Sequence, residues 1–143
     1  MAMEGADLVH IAAHGDFRSD NPQFSAIRLT DGPLTAYDLE RLRRAPRRVI
    51  LSACESGRTA VLAGDEILGL AATLLGLGVQ AIVATVVHVP DAETVPLMLA
   101  PHAELRAGRS LAEAVALAQQ RAYSTDDGPS VAAAAAFVCI GAG

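Results

Sequence analysis

Asp7-Leu-Val-His-Ile-Ala-Ala13, running into His14-Gly15, is a short apolar run with a polar boundary, and it reads as a buried strand. Arg48-Val-Ile-Leu-Ser-Ala53, ending at Cys54, reads as a second one. Gln80-Ala-Ile-Val-Ala-Thr-Val-Val87 is rich in β-branched residues, is ended by Pro90, and reads as a third. Helical signals lie between them. Thr35 followed by Asp38 resembles a capping box and predicts a helix through about Arg44, stopped by Pro46. Apolar residues at helical spacing predict a helix over Asp65–Leu77, with Asp65 and Glu66 in its first turn and Gly78 as its stop. Strands separated by helices imply an α/β domain with a mostly parallel central sheet and helices on both faces.

The flanking sequence fits that frame. Ser25–Leu29 alternates and runs into Asp31-Gly32-Pro33, a strand entering a turn and half of a hairpin. Asp16–Gln23, with Asn21-Pro22, and Glu55–Gly64 read as loops. Helices are expected over Asp91–Ala107 and over Ser110–Tyr123, the second with Ser110 as N-cap and Glu113 completing the box. Asp126-Asp127-Gly128-Pro129 reads as a turn, Ala132–Ala136 fits helix or strand, and Phe137–Ile140 reads as the last strand. With no internal repeat, linker or low-complexity tail, residues 1–143 read as a single domain.

Composition narrows the class. Of 143 residues, 52% are hydrophobic but only 3% aromatic, so the core is expected to consist of Ala, Val, Leu and Ile. The net charge of -5 argues against nucleic-acid binding. The Arg-rich run between Arg41 and Arg48 is a candidate contact patch, although a solvated helix end and loop is the favoured reading. Two cysteines make no disulfide framework and suit a reducing compartment. Met1–Asp7 lacks the apolar stretch of a signal peptide, and no run is long enough for a membrane span. The expectation is a cytoplasmic protein without a membrane partner.

In an open parallel sheet, sites form beyond the carboxyl ends of the strands. His14 follows the first central strand and Cys54 the second. A crossover through the Thr35 helix makes these strands expected neighbours, about 4.8 Å apart. A thiolate is a good nucleophile, and a nearby imidazole helps to form it and to protonate a leaving amine. Gly15 has no Cβ, so its backbone can approach a substrate, and its N–H with that of Cys54 could hold an oxyanion. Each of these residues also has a plain structural reading, the Cys as a small buried hydrophobe and the His as a satisfied core group.

Taken together, the motifs resemble the CHAT domains, caspase-like peptidases of the caspase–separase clan. Leu8-Val-His-Ile-Ala-Ala-His14-Gly15 resembles the family's histidine motif, and Val49-Ile-Leu-Ser-Ala-Cys54-Glu-Ser-Gly57 its cysteine motif. Gly64-Asp-Glu-Ile-Leu-Gly-Leu70, Gly108-Arg-Ser-Leu-Ala-Glu-Ala114 and Phe137-Val-Cys-Ile-Gly141 follow in the family's order. The resemblance implies a three-layer caspase-like sandwich and a His14–Cys54 dyad. It also implies cleavage of peptide bonds in protein substrates through a thioester, without metal or organic cofactor. It further implies sensor or repeat domains in a parent protein. Aromatic residues usual in the family are replaced by Val87-His88, by Pro101-His102 and within the Ala run. Family domains carry strands before the histidine strand, and this sequence starts almost at it, as a fragment of a larger protein would. The Leu8–Ala13 strand would then be an apolar sheet edge, expected to drive self-association. A catalytically silent scaffold with the same fold is the alternative reading.

Other residues carry less. Asp16 and Asp65 are candidate pocket acids for a basic substrate residue, although for Asp65 a favourable pairing with a helix N-terminus is the preferred reading. His10 reads as a core group inside the first strand, and His88 and His102 as residues near element ends. Cys139 lies in an apolar strand. No His and carboxylate cluster has metal-ligand spacing, and there is no glycine-rich phosphate loop.

Overall fold

A computed structural model of the chain describes residues 3–16, 26–55, 63–87, 89, 91–125 and 127–142, with the side chains at 53–55, 63–68 and 91 outside the description. The expected loops at 17–23 and 56–62 and the residue His88 lie outside the described residues. Six strands and five helices follow in the order β1 (Val9–Asp16), β2 (Ala26–Leu29), β3 (Gly32–Thr35), α1 (Ala36–Glu40), β4 (Arg48–Glu55), α2 (Ala63–Gly76), β5 (Ala81–Thr85), α3 (Asp91–Arg106), α4 (Leu111–Tyr123), α5 (Gly128–Ala135) and β6 (Phe137–Gly141). The strands form one sheet in the order β3-β2-β1-β4-β5-β6.

The sheet is mixed, which corrects the expectation of a mostly parallel one. β1–β4 and β4–β5 are parallel, whereas β1–β2, β2–β3 and β5–β6 are antiparallel. The strand–helix alternation forecast parallel pairing where one helix links two strands, as α2 links β4 to β5. It misled at the flanks. The β2–β3 hairpin folds back on itself, and three helices separate β5 from β6, which returns the chain in the opposite sense.

Alternation along the central strands sends side chains to two separate cores. Val49, Leu51, Ile82 and Ala84 pack with Ile11, with Leu39 of α1 and with Leu70 and Leu74 of α2. Ile50, Ala81 and Val83 pack with Leu97 and Met98 of α3, Leu111 and Val115 of α4 and Ala133 and Ala134 of α5. All five residues of β5 are buried, which accounts for its unbroken apolar run. Both capping boxes form: Thr35 with Asp38, and Ser110 with Glu113.

Three boundaries differ from the sequence expectation, the first being the end of α1 at Glu40 instead of about Arg44. Pro33 is not in a turn but in β3, an edge strand that has no ladder partner for the missing proline N–H. The reversal occupies Thr30 and Asp31, and Gly32 beside it takes φ 132°, a conformation that favours glycine. Asp127-Gly128-Pro129 opens α5 instead of forming a free turn: the Asp127 side chain caps the Ser130 N–H, with Pro in the first turn. The Ala run is therefore helical as far as Ala135.

The arginine run is largely absorbed into structure. Arg47 donates to Gln80, Arg48 donates to the Asp7 carbonyl, and Arg41 lies over the Tyr37 ring. Among the described residues, no helix is long and apolar enough to cross a membrane.

Candidate active site at the shared end of two parallel strands

β1 extends through Asp16 and β4 through Glu55, so His14 and Cys54 lie within the last three residues of their strands, not beyond them. The parallel register pairs His14 directly with Cys54, between the pairs Ala13–Ala53 and Gly15–Glu55. Paired positions share a face of a pleated sheet. For this pair it is the face of His10 and Ser52, opposite Ile11 and Leu51.

His14 is exposed. It lies at one end of a cavity of about 430 Å³, lined by His10, Ala12 and Ser52 of the sheet and by Thr94, Val95, Met98, Leu99 and His102 of α3. Val95 and Leu99 are exposed, so the outer wall is apolar. α3 holds its helical path through Pro96 and Pro101.

Deeper in the cavity lies a connected polar chain. His10 Nε2 is 2.7 Å from Ser52 Oγ, and His10 Nδ1 is 2.8 Å from His102 Nε2. The two imidazoles are stacked with centroids 5.0 Å apart. Burial of His10, and then the neighbouring His102, push its pKa below the ordinary histidine value. Both ring nitrogens of His10 are thus partnered, as the sequence suggested, but the side chain is half-buried at the cavity and not in the core. Its partner His102 was not foreseen: the two are 92 positions apart, and no local pattern links them.

The remaining candidates divide. Gly15 is buried, in register with Ile27 on one side and Glu55 on the other. Asp16 does not line the cavity; its carboxylate accepts a hydrogen bond from Arg28 at 2.8 Å on the surface. Asp65 lies in α2 with its side chain outside the description. Cys139 is a free thiol on β6, and burial raises its pKa, so it rests protonated. Among the described residues, no three His, Cys, Asp or Glu side chains are grouped to hold a metal ion.

The family model of the CHAT domain matches residues 1–142. No curated protein matches the chain.

Proposed function

Since the chain belongs to the CHAT domain family, a domain related to the caspase-like cysteine peptidases, we propose that it is a cysteine endopeptidase acting on protein substrates. The fold is read as the three-layer caspase-like sandwich, with His14 and Cys54 as the dyad. The observation that carries this reading is the register pairing of the two residues at the carboxyl end of adjacent parallel strands, beside an open cavity. The Cys54 thiolate adds to the scissile carbonyl, and the N–H groups of Gly15 and Cys54 are the proposed donors to the resulting oxyanion. The His14 imidazolium gives its proton to the departing amine, leaving a thioester. Water, deprotonated by His14, then releases the acid and restores the thiol. Sensor or repeat domains of a parent protein, in a cytoplasmic setting, would govern access.

Thiol reactivity tests this. The chain has two cysteines, and Cys139, half-buried with its pKa raised by desolvation, is the internal reference. Treatment with a peptidyl electrophile should label Cys54 selectively, and His14→Ala should abolish the selectivity. Labelling of Cys54 no faster than that of a simple thiol would replace the peptidase by a silent scaffold.

A further inference from the structure

The polar chain in the cavity has the connectivity of a nucleophile, a base and a group that orients the base. A hydroxyl, Ser52 Oγ, meets Nε2 of His10; the other nitrogen of the same ring, Nδ1, meets Nε2 of His102. Of the two tautomer sets that satisfy all three groups, one leaves His10 Nε2 as a base beside the hydroxyl. In that set the Ser52 hydroxyl donates to His10 Nε2, His10 Nδ1–H donates to His102 Nε2, and His102 keeps its proton on Nδ1. Serine hydrolases use this wiring, with an acceptor at Nδ1 fixing the tautomer that leaves Nε2 free to take a proton. All three side chains line the same cavity.

We propose that Ser52, His10 and His102 form a second acyl-transfer centre, independent of the thiol, that hydrolyses carboxylic esters of small apolar acyl groups. The acyl class follows from the lining: Ala12, Val95, Met98 and Leu99 share the cavity with the hydroxyl, and among the described residues no carboxylate or guanidinium lines it. Ser52 Oγ forms a bond to the acyl carbon as its proton passes to His10 Nε2. The ester C–O bond breaks, and His10 returns the proton to the departing alkoxide, releasing the alcohol. Water then attacks the acyl-serine, gives a proton to His10, and the carboxylic acid leaves as Ser52 regains its hydrogen. Ester and water are consumed, and acid and alcohol are formed. Ser52 and His10 are the catalytic residues, and His102 is a positioning residue.

Two measurements decide this. First, the full chain is treated with an alkyl fluorophosphonate and the adduct is located by fragment mass spectrometry. Phosphonylated Ser52 is expected; an adduct elsewhere, or none, overturns the proposal. Second, p-nitrophenyl butyrate hydrolysis is followed in a Cys54→Ala background, so that failure of the peptidase reading and failure of this one remain distinct. Adding Ser52→Ala or His10→Ala should lower the rate by about 100-fold or more, the usual effect of a positioned base. His102→Gln, whose amide oxygen can accept from His10 Nδ1, should retain activity that His102→Leu loses, a difference that a packing role would not produce. An unchanged rate in Ser52→Ala, or loss of all hydrolysis on Cys54→Ala alone, overturns it.

Discussion

His10 bridges the sheet and α3, and its depressed pKa gives the bridge a pH dependence. Burial and the adjacent His102 make the folded chain bind a proton at this site less readily than the unfolded chain does. The unfolded form therefore holds more protons as pH falls through the ordinary histidine range near 6.5, and stability falls with it. The urea midpoint should drop between pH 7.5 and pH 5.5, and His10→Gln should flatten that drop. A midpoint that holds or rises on acidification would contradict the assignment. The carboxylates act in a lower window. Hydrogen bonds from Thr35 to Asp38, from Arg121 to Glu104 and from Ser110 to Glu113 each depress a pKa, so what they contribute is lost only as pH falls below the ordinary carboxylate range.

At the scale of elements, the capping boxes and the prolines of α3 pull in opposite directions. Ser110→Ala removes the acceptor for the Glu113 N–H and should destabilise the fold by about 1 kcal/mol in chemical denaturation. Pro96 is exposed inside α3 and has no N–H to offer the carbonyl four residues back. Pro96→Ala restores that bond and should stabilise by about 1–3 kcal/mol, read as a higher urea midpoint; an unchanged midpoint would mean that the helix has already relaxed around the proline. These local signals were legible in the residues themselves. Thr35–Asp38 and Ser110–Glu113 announced their helices, and the apolar runs ending at His14 and Cys54 announced the two strands that carry the candidate site. The mixed sheet was not legible, because antiparallel pairing of β1 with β2 and of β5 with β6 depends on the path of long connections. Nor was the Ser52–His10–His102 chain, whose members come from β4, β1 and α3 and meet only after those elements have packed.

On the scale of the molecule, β1 is only half covered on its outer side. β2 pairs with His14–Asp16, and among the described residues no strand pairs with the outer edge of Val9–Ala13. A groove of about 540 Å³, lined by Val9, Ile11, Leu29, Pro33 and Leu34 among others, runs beside that edge. Unpaired backbone groups next to apolar surface recruit further strands. The chain is accordingly expected to associate with itself through Leu8–Ala13 in sedimentation velocity as its concentration rises. Ala12→Lys, at an exposed position on this strand, should shift the equilibrium towards monomer; a monomeric wild type at all concentrations would refute the contact.

The direct pairing of His14 with Cys54 also restricts how the chain can change in length. Consecutive residues of a strand look to opposite sides, so one residue added within Val9–Ala13 would carry the imidazole through the sheet and bury it beside Ile11 and Leu51. The same addition at Thr30–Asp31 would only lengthen a hairpin tip. Two added residues in β1 would return the ring to its original side but one pair out of step with the thiol. The proposed chemistry thus depends on parity as well as identity: between these two strands the chain has to count in twos, and it is free to lose count only at its bends.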